Sequence, residues 1–329
     1  MEKQLNLAVK LSLEELALRR SVINLWCETD VWSSIEDIKL ESLPEGQLPS
    51  DFGKTLHDMV KEKISGIVIA EPIKKRMMNV FKLIGSDLMI WKIFHENLLH
   101  FSFKSLNILK YLRLTSAGSV DYRNTAEELV RLGALNDVAR YTLSCCYCLD
   151  KYIPVLWQEL SAQSKEHFLS MSFITPGRLE LPAFWAWFMK KNPEMYGISK
   201  VLLSQNFSFD QHAFHVSVLN GNKAAAKHFY QKLTSEERVI SLSRAVDAVL
   251  SNEGRNLPRM HSDFPKETLP DVLCYLLSLM SPKQQMQVLK ERPPAILRCF
   301  AAWPWQDIFV EISKVIMTFI REEMTFLQR

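Results

Sequence analysis

The chain has 329 residues, 47% of them apolar and 23% charged, and carries a formal net charge of +3. That apolar share excludes disorder over most of the length, and a charge so small and so interspersed gives no basis for a nucleic-acid surface. No window of about 18 apolar residues runs free of charge, so no membrane span is expected.

Only 10 glycines and 14 prolines are present, beside abundant Leu, Lys, Glu, Gln and Met, which predicts an all-α fold. Residues 3–28 place Leu5, Leu11, Leu16, Val22, Ile23 and Trp26 on a helical stripe. The charges scattered through this stretch make it an amphipathic helix rather than a secretory leader. The six cysteines, Cys27, Cys145, Cys146, Cys148, Cys274 and Cys299, then read as free thiols in a reducing, cytoplasmic setting. Residues 29–53 turn acidic and are broken by Pro44, Gly46, Pro49 and Gly53, so a surface connection with one short helix is expected. A helical block follows over 54–114, divided by Pro72, Gly85 and the polar stretch near Ser102. The run Ile67-Val68-Ile69-Ala70 suits a strand by composition, but a lone strand has nothing to pair with, so helix is expected there too.

From residue 115 onward a pattern recurs: a large apolar pair ends one helix, Leu or Met follows, and Ser or Thr caps the next. It occurs at Tyr111–Thr115, Leu156–Ser161, Val201–Ser204, Phe229–Thr234 and Leu276–Ser281. Residues 251–270 hold three prolines and few apolar residues, which suits a long loop or a break in the array. The final helix is expected to open at Trp303–Trp305, with Pro304 in its first turn, and to carry Ile308, Phe309, Ile312, Val315, Ile316, Phe319 and Ile320 on one face.

Residues 212–230, HAFHVSVLNGNKAAAKHFY, read as two short helices joined by a tight Asn-Gly turn. Gly221 suits that turn because it reaches positive φ without a Cβ clash. A hairpin this small cannot bury its apolar face alone and implies stacked neighbours. Phe214-His215, Asn220-Gly221 and the trio Lys227, Phe229 and Tyr230 resemble the ankyrin repeat, with its Leu-His start, Asn-Gly turn and second-helix basic and apolar positions. The clear unit lies near 201–233, with VLLSQNFSFDQ at 201–211 leading into it; a weaker one lies near 126–143, with Gly133 at its turn. The resemblance implies a buried His215 bridging backbone groups between units, and a rigid stacked surface that binds another protein. It places the contacts at Asp210, Gln211 and His212, in the loop between 205 and 212, and at Ser217 on the short helix.

Sharper chemistry competes with plainer readings. His212 and His215 have a spacing that suits a shared zinc, against the structural role just given. Cys145, Cys146 and Cys148 are dense enough for a metal or redox centre, yet adjacent cysteines splay apart on a helix and no CxxC is present. Lys74-Lys75-Arg76 is a short basic run, read as a solvated helix face ahead of a nuclear signal or a phosphate patch. Phe184, Trp185, Trp187 and Phe188 cover more than one helix face, so packing is expected of most and exposure of one or two. No phosphate loop, dinucleotide fingerprint or nucleophile elbow is present.

The expectation is an all-α protein: a helical N-terminal region over 1–110, then an irregular, ankyrin-like α-solenoid of stacked helix pairs over 111–329. Its expected role is a non-catalytic scaffold for a partner protein, with no metal or cofactor. The alternative is an enzyme whose N-terminal helical region is catalytic, through Glu71, His95 and His100, while the repeats recruit substrate.

Overall fold

The computed structural model describes residues 9–36, 54–106, 108–175, 178–190, 208–252 and 264–327, together with Leu5 and Leu7. The chain is all-α. Among the described residues the pairing of strands is confined to a two-residue hairpin, in which β1 (Ile174–Thr175) lies antiparallel to β2 (Arg178–Leu179), and to a bridge between Leu114 and Val120. The chain divides into two compact units, one spanning Val9–Glu128 and the other Met1–Ala8 with Leu129–Arg329.

In the Val9–Glu128 unit, α1 (Leu13–Trp26), α2 (Thr29–Glu36) and α3 (Lys54–Ser65) are followed by α4 (Glu71–Leu99), against which α1 and α3 pack. α1 begins at Leu13 because Ser12 caps it, accepting from Glu15 N at 3.1 Å; residues 9–11, expected to be helical, precede that cap. Trp26 stacks on Phe81 at 4.1 Å between centroids and donates its indole N–H to the Phe81 carbonyl at 3.0 Å. α4 runs 29 residues, about 43 Å, straight through the expected division at Gly85. Phe81, Ile84, Leu88, Met89 and Trp91 continue one buried face on both sides of that glycine, and their burial outweighs the roughly 1 kcal/mol that glycine costs a helix. Pro72 does open α4, as a first-turn proline. The Ile67–Ala70 stretch is neither strand nor helix. It connects α3 to α4, with Ile69 N donating to the Ile67 carbonyl at 3.0 Å and Val68 fully (100%) exposed.

The basic run at 74–76 is largely committed to its own helix neighbourhood. Lys74 pairs with Glu71 at 3.2 Å and donates to the Ser65 carbonyl at 3.0 Å, and Arg76 bridges Glu14 and Glu15. Burial by itself raises the Glu15 carboxyl, and Arg76 and Arg19 together outweigh it and hold the group below its ordinary range.

α5 (Tyr122–Arg131) contains the division between the units. The second unit continues with α6 (Asp137–Cys146), α7 (Ile153–Glu159), α8 (Ala162–Ser170) and α9 (Leu181–Met189). It then runs through α10 (Phe209–Leu219), α11 (Lys223–Lys232) and α12 (Ser235–Asn252). It ends with α13 (Leu269–Ser278), α14 (Pro282–Glu291), α15 (Pro293–Phe300) and α16 (Gln306–Leu327). α9 packs on α6, α7 and α8; α10 packs on α11 and α12; α12 packs on α13 and α15; α16 packs on α14 and α15.

The recurring hydroxyl residues cap as expected at three places. Ser161 accepts from Ser164 N at 3.1 Å, Thr234 from Glu237 N at 3.3 Å, and Ser281 forms a capping box with Gln284. Thr115 instead bonds Ser119 at 2.8 Å in a turn, and Ser204 lies outside the described residues. Ser281→Ala should lower the stability of its unit by about 1 kcal/mol, visible as a lower urea midpoint at an unchanged slope. Pro304 precedes α16 rather than sitting in it, in a cis peptide with Trp303. Ile308, Ile312 and Ile316 of the expected face are buried, whereas Ile320 is exposed.

Candidate functional site

The hairpin of α10 and α11 centres on Asn220, Gly221 and Asn222. Asn220 N donates to the Val216 carbonyl at 2.9 Å and Gly221 N to that of Val218 at 3.1 Å, which carries Gly221 to φ +74°. Asn222 then caps α11, accepting from Ala225 N at 3.0 Å and donating to the Cys146 carbonyl at 2.8 Å. The turn after α5 uses the same parts: Gly133 sits at φ +61°, and Asn136 caps α6 by accepting from Ala139 N at 2.9 Å. Leu219 and Val218 end α10, and Phe214 and Phe229 are fully buried between the hairpin and its neighbours.

The three contact residues expected at a loop tip do not lie at one, while Ser217 lies on the helix as expected. Asp210, Gln211 and His212 make up the first turn of α10, and the loop residues 205–207 that were to lead into them lie outside the described residues. Gln211 is 6% exposed and occupied internally. It completes a capping box with Ser208 and donates to Ser241 Oγ at 3.3 Å. Ser217 is 4% exposed and donates to the Ala213 carbonyl at 2.7 Å, one turn back. Both are withdrawn from the surface, which corrects their assignment as contacts. Asp210 and His212 are half-buried. Burial raises the Asp210 carboxyl above its ordinary range, while the Lys232 charge draws it back down. Burial and the neighbouring His215 both lower the His212 imidazole, and His215 is lowered by burial and by Arg244.

Asp210 is brought instead to an aromatic cluster absent from the expected contact set. Phe209, its chain neighbour, stacks on Phe184 of α9 at 5.2 Å and 17°, and meets Phe229 of α11 at 6.1 Å. Phe184 and Trp185 are buried, Trp187 is half-buried, and Phe188 is 40% exposed, as the crowding of aromatics on α9 predicts. Phe188 lies edge-on to Trp185 at 5.4 Å. The exposed Lys232, at the end of α11, places its ammonium between these rings.

Other candidate groups do not converge. Glu71 and His95 lie on one helix 24 residues apart, about 36 Å at 1.5 Å per residue. His95 is sealed among Trp91, Phe94 and Tyr122, and His100 ends α4 in the left-handed region at φ 48°. Cys145 and Cys146 are buried at the end of α6 and Cys148 is buried just beyond it; burial pushes the Cys145 and Cys146 thiols up, which disfavours the nucleophilic thiolate. Among the described residues no three His, Cys, Asp or Glu side chains are placed to share a metal, and no helix is long and apolar enough to cross a membrane.

Comparison with protein-family models, curated proteins and solved structures returned no significant match.

Proposed function

We propose that the chain is a non-catalytic protein-binding scaffold built from ankyrin-like helical hairpins, and that it meets its partner where α9, α10 and α11 come together. The observation that carries this reading is the exposed edge of an otherwise buried aromatic cluster. Phe188 stands 40% exposed beside Lys232, with Asp210 and Phe209 next to them. An aromatic anchor flanked by charge is the composition of a binding hot spot. The two turns that share a left-handed glycine and an asparagine cap support the hairpin assignment.

Affinity capture with the whole chain, compared quantitatively with Phe188→Glu and Asp210→Lys, tests this. Both changes are expected to reduce recovery of a direct partner at least tenfold at an unchanged helical circular dichroism signal. Equal recovery by all three proteins would move the contact surface elsewhere.

A further inference from the structure

Lys232 has an unusual environment for a surface lysine. Its ammonium lies 5.4 Å from the ring centre of Phe229, 5.6 Å from Phe188, and 5.9 Å from both Phe184 and Trp185. Significant cation–π contacts occur about once per 70–80 residues. Here two helices, α9 and α11, bring four rings to one cation. Among the described residues no carboxylate stands within ion-pair distance of it; Asp210 feels its charge through space.

The occupant and the box are mismatched. A primary ammonium is a compact, strongly hydrated charge with three N–H donors, and ring faces satisfy those donors poorly. Methylation keeps the charge while replacing the donors with apolar groups that aromatic walls do satisfy. Lys232 is itself exposed, at the last residue of α11, so its side chain can swing into water without disturbing the helix.

We propose that Phe184, Trp185, Phe188 and Phe229, with Asp210 as the nearby carboxylate, form a cation cage that accepts a di- or trimethylated lysine of a partner protein in exchange for Lys232. This rests on the protein-binding reading above and names the chemistry the partner would present. Lys232 then acts as a resident plug that sets the affinity threshold.

The test uses the full chain and follows tryptophan fluorescence during titration with acetylated, amidated trimethyllysine, its unmethylated counterpart, and choline. The trimethyllysine probe is expected to bind at least tenfold more tightly than the unmethylated one. Lys232→Ala, which removes the resident ammonium, should tighten that binding a further tenfold, and Phe188→Leu should weaken it tenfold. Equal binding of methylated and unmethylated probes by Lys232→Ala would overturn the cage. Choline binding without trimethyllysine binding would overturn the assignment to a partner's lysine. The two readings fail separately: loss of capture by Phe188→Glu with no methyl dependence leaves the scaffold standing and removes the cage.

Discussion

Replacing Gly221 with alanine should destabilise the Leu129–Arg329 unit by about 2–4 kcal/mol. Two penalties combine. At φ +74° an L side chain enters the left-handed region, at about 1–2 kcal/mol. The added Cβ would also stand 2.4 Å from Thr268 Oγ1, closer than any real contact. Thr268 cannot yield freely, because its hydroxyl donates to the Pro265 carbonyl at 2.7 Å in the short turn leading into α13. Gly133 provides the control. It has a similar φ of +61° but nothing within 4 Å of its missing Cβ, so Gly133→Ala should cost only the backbone share, about 1–2 kcal/mol. Urea unfolding of both variants measures the difference. Adding Thr268→Ala to the Gly221 variant should recover part of the loss through a double-mutant cycle. Equal losses at the two glycines would show that the hairpin tip does not seat against residues 264–268.

That seat explains what was legible in the sequence and what was not. The Asn-Gly turn, the caps at Ser161, Thr234 and Ser281, and the buried face of α16 all follow from residues within one or two helical turns of each other. Local signals failed where a distant surface decided. Gly85 looks like a breaker in isolation, but the faces before and after it are both buried. The stretch 253–263, read as part of a break in the array, lies outside the described residues, yet Phe264 just beyond it is buried and packs edge-on against Tyr147 at 5.5 Å.

The contact residues illustrate the same limit from the other side. Ser208-Phe209-Asp210-Gln211 is an S-x-x-Q capping box, a pattern that by itself places Gln211 in a helix's first turn with its amide turned back to the chain. Reading that pattern would have removed Gln211 from the surface. The gathering of Phe184, Phe188, Phe209, Phe229 and Lys232 had no comparable local sign. Its members come from three helices, and only the density of aromatics on α9 hinted that one ring would be left in solvent.

The Val9–Glu128 unit should lose about 2 kcal/mol of stability between pH 7.5 and pH 5 on account of one residue, His95. The side chain is wholly buried against Trp91 at 4.5 Å and Phe94 at 4.8 Å, with Tyr122 at 5.7 Å. Its Nδ1–H donates to the Trp91 carbonyl at 2.7 Å, which satisfies the neutral ring. Burial pushes the imidazole pKa from 6.5 down to about 3, against the smaller opposing effect of that hydrogen bond. The charged neighbours in sequence, Lys92 and Glu96, are paired with each other at 2.8 Å. The sign follows from proton counting. Between about pH 3 and 6.5 the unfolded chain holds a proton on His95 that the folded chain refuses, so stability rises with pH across that window and is fully present above it. The slope approaches 1.4 kcal/mol per pH unit, and the loss is about 3 kcal/mol by pH 4. His95→Gln keeps a donor for the Trp91 carbonyl and removes the titration. Urea unfolding of the two proteins at pH 7.5, 6, 5 and 4 should therefore show the wild-type curve falling away from the variant's as the pH drops. Parallel curves would mean that the folded unit admits the proton, and that the aromatic seal around His95 opens to water.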